Sequence, residues 1–210
     1  MIIDTGINEW AHKGHVYGEC MTRADIDLMY VYIPKNASSW TKPNLLDYGW
    51  EMSNYHKDQD CAKKPALVVL RDPVDRWLSG IAEYMALYQP NFRLLFQETE
   101  ELVFDRIVFD DHTEKQVKFL QGLDTDRCIF IRCDDDYRKN FSDFISEHYG
   151  ANKYARYEYQ NVSVNNDERR RFKTLFQRVL EREPKYLKRL LDYYEEDYQL
   201  IQQVQFYGTR

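Results

Sequence analysis

Three short apolar runs constrain this chain most: LMYVYI at 28–33, ALVVL at 66–70 and CIFIR at 128–132. Each is rich in β-branched and aromatic residues and bounded by breakers, so each predicts a buried strand. Pro34 ends the first, Pro65 introduces the second, and Arg71-Asp72-Pro73 closes it. Helical patterns fill the intervals. That alternation predicts an α/β fold in which a central, mainly parallel sheet is flanked by helices. Ligands of such sheets bind outside the carboxyl ends of the strands, which puts Lys35 and Arg71 at one edge.

The helical segments follow from spacing. After Pro73, residues 75–88 place Trp77, Leu78, Ile81, Met85 and Tyr88 toward a core, while Arg76, Ser79 and Glu83 share another face. Residues 99–109 predict a helix with Thr99 as N-cap, ending in the acidic loop Asp110-Asp111-His112. A helix from about Asp136 to Tyr149 stops at Gly150, and 150–165 reads as a loop. Two helices close the chain, one at 167–182 and one from Pro184 to about Val204. The run ERRRFK at 168–173 is the solvated face of the first of these.

Length and charge bound the organisation. With 210 residues and 43% hydrophobic side chains, the chain can fill one sizeable core, read as a single domain over 1–210. Within it, 1–27 is read as an N-terminal segment, 28–150 as the core that carries the three apolar runs, and 151–210 as a loop with C-terminal helices. A net charge of −6 argues against a general nucleic-acid or anionic-membrane surface, so any anion site must be built locally. Cys20, Cys61, Cys128 and Cys133 form no CxxC pair, which predicts buried free thiols in a reducing compartment. No leader pattern opens the chain, and no run nears the roughly 18 apolar residues of a membrane span, so a soluble, cytoplasmic protein is expected.

The chemistry begins where the first strand opens into YIPKNASSW, 32–40. A strand end that leads through a polar loop into a helix N-terminus points backbone N–H groups at an anion. The same residues also make an ordinary strand-to-helix turn, capped by Ser and Asn. A nucleoside-triphosphate P-loop is disfavoured, because no glycine occurs between Gly18 and Gly49 and Lys35 stands at the start of the loop. The second stretch, RDPVDRWLSG at 71–80, sets an arginine at a strand end and Ser79 on the next helix. Guanidinium and hydroxyl can both donate to phosphate oxygens. Two anion sites imply a ligand with two separated anionic groups.

Together these stretches resemble the sulfotransferases that use 3′-phosphoadenosine 5′-phosphosulfate (PAPS), nearest to the Golgi-type carbohydrate sulfotransferases. Asp111-His112 followed by Gln116, Asn161-Val162-Ser163, and YYEEDYQLIQQVQFYG at 193–208 resemble later elements of that family in the same order. The resemblance runs from about residue 28 to 208 and implies a P-loop-like PAPS-binding sulfotransferase fold. It implies that Lys35, Asn36, Ala37, Ser38 and Ser39 bind the 5′-phosphosulfate, with Trp40 bordering it, and that Arg71 and Ser79 bind the 3′-phosphate. Lys35 would also be catalytic, as the cation at the bridging oxygen.

The acceptor hydroxyl needs a base, and His112 is the candidate, because Asp110 and Asp111 could orient its ring. Glu83 and His56 are alternatives. The expected reaction is transfer of a sulfuryl group from PAPS to a hydroxyl, of a carbohydrate or glycoconjugate, with no metal. Other readings are a P-loop-like small-molecule kinase, with Asp72 and Asp134 as metal ligands, or a non-catalytic binder of phosphorylated or sulfated ligands. His12, His15 and Cys20 have metal-like spacing but sit in the N-terminal segment. Three features depart from the family: Pro43 predicts a late start or kink in the helix after the loop; no glycine-rich C-terminal nucleotide loop is present; and neither its membrane anchor nor its disulfides are expected from these residues. Arg156, Tyr157 and Asn161–Ser163 are the proposed replacements for that nucleotide loop.

Overall fold

The computed structural model of the protein describes residues 17–88, 97–149 and 166–208. The expected 150–165 loop, Arg156, Tyr157, the Asn161–Ser163 segment, His12 and His15 lie outside the described residues. The chain forms two compact units, each drawn from separate stretches of sequence. Among the described residues, a sheet unit takes 17–72, 116–149 and 199–208, and a helical unit takes 73–88, 97–115 and 166–198.

The sheet unit holds five strands: β1 (Glu19–Thr22), β2 (Met29–Val31), β3 (Glu51–Asn54), β4 (Ala66–Leu70) and β5 (Cys128–Arg132), in the order β3-β1-β2-β4-β5. β2–β4 and β4–β5 pair in parallel, as the apolar runs predict, with Met29 opposite Ala66 and Ala66 opposite Cys128. β1–β2 and β1–β3 are antiparallel, so the sheet is mixed. The correction to a mainly parallel sheet comes from ECMT and EMSN, which carry no apolar run. β3 is half-exposed along its length and takes its place through ladder hydrogen bonds instead of burial. At the other edge, Phe206 bridges Phe130, and the Tyr207 amide donates to the Phe130 carbonyl at 2.8 Å, covering part of the β5 edge.

Helices α1 (Ser38–Asp47) and α2 (Gln59–Ala62) connect the strands, and α5 (Tyr137–Tyr149) follows β5. One face of the sheet packs Tyr30, Leu67, Val69 and Ile131 against Trp40, Phe141 and Phe144; the other packs Met29, Val31, Val68 and Phe130 against Phe119 and Phe206. Period-two alternation along β2, β4 and β5 divides the side chains between these two cores. α1 begins at Ser38, not late, with Pro43 inside it. Pro43 cannot supply its amide to the first turn, and the neighbouring Asn44 amide side chain turns back to the Trp40 carbonyl at 2.6 Å.

The helical unit contains α3 (Pro73–Tyr88), α4 (Gln97–Arg106), α6 (Asn166–Arg182) and α7 (Pro184–Tyr193). Pro73 stands at the first helical position and Asp75 in the first turn, where a fixed φ and a negative charge both favour a helix start. Trp77, Ile81 and Met85 of α3 meet Phe172, Phe176 and Val179 of α6, and each large side chain so buried contributes roughly 1.5–3 kcal/mol. Tyr88, expected in this core, is exposed at the helix end. Thr99 is not an N-cap, since α4 already includes Gln97. The expected single C-terminal helix is two, α7 and α8 (Glu195–Gln203), separated at Tyr194. Tyr194 is fully buried and its hydroxyl donates to the Thr113 carbonyl, an anchor that a straight amphipathic pattern does not reveal.

Candidate functional site

In the sheet unit, the parallel strands β2 and β4 end side by side, so the loop after β2 and Arg71 after β4 leave the same edge. Two residues of that loop, Lys35 (φ 68°) and Ala37 (φ 55°), hold left-handed backbone without being glycine. Each such residue costs about 1–2 kcal/mol. Outliers of this kind persist only where the surroundings enforce them, and they concentrate at ligand sites. Here the surroundings are an amide lattice. Asn36 is fully buried, and its Nδ2 donates to the Val69 carbonyl and to Gln116 Oε1, both at 2.6 Å. Gln116 Oε1 also accepts from the Arg71 amide at 3.0 Å, while its Nε2 donates to the Arg71 carbonyl at 2.9 Å. Arg71 Nη1 in turn donates to the Lys35 carbonyl at 3.1 Å.

Gln116 thus ties both strand-end segments together. As an isolated polar residue ahead of VKFL it gives no local sign of that role. The Asn36 amide donates to the Ile33 carbonyl at 3.3 Å, and the Trp40 and Thr41 amides donate to the Ala37 carbonyl at 2.9 and 3.0 Å, so the αL backbone at residues 35 and 37 leads the chain from β2 straight into the first turn of α1. Ala37 is the N-cap of α1 and supplies no side-chain cap, so the first-turn amides keep no hydroxyl or carboxylate from that position. Ser38 is buried and Ser39 exposed on that first turn.

Three expected ligands sit differently from the resemblance. Asn36 points its amide into the protein and serves the loop's shape. Trp40 is buried, edge-on to Tyr137 and Phe141 at 5.7 Å, and belongs to the core rather than bordering a ligand. Arg71 buttresses the loop through the Lys35 carbonyl. His56, the alternative base, has Nε2 at 2.9 Å from the Gln121 carbonyl.

In the helical unit, the loop after α4 carries His112. Ile107 (φ 56°) turns the chain out of α4 in the left-handed conformation that glycine usually takes at a helix end, and its carbonyl accepts from Trp77 Nε1 at 2.9 Å. Thr113 Oγ1 accepts from the amides of Phe109 and Asp110 at 2.8 and 3.1 Å. His112 Nδ1 lies 3.0 Å from Asp110 Oδ2 and 3.0 Å from Asp111 Oδ1. Burial pushes the His112 pKa down, but hydrogen bonds and charge from the two aspartates outweigh it, and the net direction is up. Nδ1 is held by carboxylates, which leaves Nε2 as the atom able to take a proton from a substrate.

Arg76 is completely buried, not on an outer face with Ser79. Its Nη1 donates to the Glu114 carbonyl and its Nη2 to the Asp111 carbonyl at 2.9 Å. Burial draws its pKa down while Tyr194, Asp197, Asp111 and Asp110 support the charge. Gly80 completes the seat: a Cβ there would collide with the His112 carbonyl. Thus Arg76, expected on a helix face with Ser79 and Glu83, instead joins Gly80 in fixing the histidine loop on α3. Ser79 Oγ donates to the Asp75 carbonyl one turn earlier at 3.0 Å, and Glu83 pairs with Arg169 at 3.1 Å.

Asp110, Asp111 and His112 also have metal-ligand atoms within 4.8 Å of one another. Their observed arrangement is that of an imidazole oriented by two carboxylates. A separate surface hollow of about 310 Å³ runs along α6, lined by Asp167, Arg170, Arg171, Thr174, Leu175 and Arg178, and contains none of the candidate residues. No helix among the described residues is long and apolar enough to cross a membrane. The chain matches no family model, no curated protein and no solved structure.

Proposed function

We propose that the protein is a PAPS-dependent sulfotransferase that moves a sulfuryl group onto an acceptor hydroxyl, of a carbohydrate or glycoconjugate. The observation that carries this reading is the left-handed, non-glycine backbone at Lys35 and Ala37, braced by the Asn36–Gln116–Arg71 lattice at the start of α1. Strain held in place by buried amides at the carboxyl edge of parallel strands fits a small tetrahedral anion. The residues present suit a sulfated nucleotide: amides and the hydroxyls of Ser38 and Ser39 for the phosphosulfate, and a lysine for the bridging oxygen. PAPS, when bound, supplies the activated sulfuryl group.

The roles of this chain's residues follow. Lys35 neutralises charge as the bond to the leaving phosphate breaks, and removal of such a donor lowers rates by roughly 10²-fold or more. Arg71 holds the Lys35 carbonyl and adds positive charge at the second strand end, and Ser79 keeps the 3′-phosphate role implied by resemblance. For the acceptor's proton, the chemistry of His112 suits a base better than that of Glu83, whose carboxylate is engaged by Arg169. A cytoplasmic setting belongs to the same proposal.

The test is a thermal-shift titration with 3′-phosphoadenosine 5′-phosphate. A ligand held by the native state alone raises Tm by mass action, about 2.7 kcal/mol at a hundred times Kd. Wild type is expected to shift, and Lys35→Ala to shift far less at equal concentration. No shift in wild type overturns the cofactor assignment. Turnover of PAPS in the presence of a chelator separates this reading from a metal-dependent kinase.

A further inference from the structure

We propose that Cys20 and Cys61 are a cross-linking site, able to form a disulfide that closes the chain around the strand-end loop. Cys20 lies on β1 and Cys61 on α2, forty-one positions apart, and their Sγ atoms are 3.2 Å from each other. That is inside ordinary sulfur–sulfur contact, and a disulfide needs a further approach of about an ångström. Both side chains are buried, at 0% and 3% exposure. Cys128 and Cys133, both half-buried, are not part of this pair.

The two sides of the pair differ in freedom. β1 is fixed between β2 and β3 by ladders on both flanks. α2 is a single four-residue turn, capped by the Asp58 carboxylate on the amides of Asp60 and Cys61 at 3.0 and 3.1 Å, and residues 56–60 are exposed. Local opening of so short a helix uncovers Cys61 and leaves the sheet intact. Exchange therefore starts at Cys61, the thiol that local opening exposes, while Cys20 stays buried in the sheet.

The oxidant is a small-molecule disulfide, such as oxidised glutathione. The Cys61 thiolate attacks one of its sulfurs, one thiolate leaves, and a mixed disulfide forms on Cys61. Cys20 then loses its proton and attacks the Cys61 sulfur, and the second thiolate leaves. The two cysteines give up two electrons and two protons, and the small disulfide takes them up as two thiols. The closed ring spans 20–61 and so contains β2, the 34–37 loop, α1 and β3. It restricts the unfolded chain, which stabilises the fold whose strained loop it encircles.

The full chain is folded, equilibrated in a glutathione redox buffer, alkylated under denaturing conditions, and read by intact mass and peptide mapping. The expected result is a species lighter by two hydrogens, with the peptides of Cys20 and Cys61 linked, Cys128 and Cys133 alkylated, and Tm raised by about 5 °C or more. Refolding in the same buffer covers the case of slow access and should give the same linkage. Four alkylated cysteines by both routes, or a link that includes Cys128 or Cys133, overturns the proposal. Cys61→Ser should abolish the linked species; its persistence would contradict the assignment equally.

Discussion

The loop after β2 is braced chiefly by neutral amides, with one guanidinium on the Lys35 carbonyl, whereas the loop after α4 is held chiefly by ions. Around Lys35 and Ala37, Asn36 and Gln116 exchange hydrogen bonds with backbone groups of β4 and Arg71. Around His112, a buried guanidinium grips two carbonyls and two carboxylates grip an imidazole. Both loops contain left-handed residues that are not glycine, so both store strain, but they should answer differently to perturbation. A neutral lattice fixes shape with little dependence on pH. A charged one couples shape to protonation.

The largest expected effect lies in the ionic loop. Arg76→Met removes the cation from a buried cluster and strands the Asp111 and Glu114 carbonyls; about 3–5 kcal/mol of stability should be lost in denaturant unfolding. A loss under 1 kcal/mol would mean that the guanidinium is not what seats the histidine loop. In the neutral lattice, Gln116→Leu leaves the Arg71 amide and carbonyl and the Asn36 amide without this partner, at a cost of about 2–3 kcal/mol. Nucleotide affinity should fall with it, because the loop loses its brace. Unchanged affinity would separate the lattice from the proposed site.

Smaller changes refine the contrast. Gly80→Ala forces a methyl against the His112 carbonyl and should cost about 1–3 kcal/mol, with the loss reported by urea midpoint. Ala37→Gly should do the opposite, gaining about 1 kcal/mol by relieving left-handed backbone. If it destabilises, the strain argument for the strand-end loop fails.

The smallest effect is the pH dependence. The His112 pKa is raised on folding, so its contribution to stability is full below the ordinary value of 6.5 and is lost as pH rises through the folded value. Tm should therefore carry a descending component above pH 6.5 that disappears in His112→Asn. Catalysis that uses neutral His112 as base should rise over the same interval.

Local pattern revealed the parts that burial dictates. β4 and β5 match ALVVL and CIFIR residue for residue, and α3 and α6 follow their apolar stripes, because a strand or helix that fills a core must show its period. β1 and β3 escaped for different reasons: β3 is a half-exposed edge strand held by ladder bonds, and β1, though interior, buries only Cys20 and Met21 between polar ends, too short a run to show a period. The positions of the candidate residues were legible: Lys35 and Arg71 stand at strand ends and the Asp110–His112 loop follows a helix, as their patterns predict. Their bracing was not. Gln116 lies eighty positions from Asn36, and Arg76 meets Glu114 thirty-eight positions on, so no short-range spacing could show either contact. Trp40 was misassigned for a related reason, because a ring beside a binding loop and a ring beneath it leave the same mark in sequence.

The most direct measurement is an amide NMR titration of the full chain with 3′-phosphoadenosine 5′-phosphate. The largest shifts should fall on the amides of residues 35–39 and on the Arg71 side chain, and Lys35→Ala should remove them at equal ligand concentration. Saturable binding that moves other amides and leaves 35–39 and Arg71 in place would contradict the account.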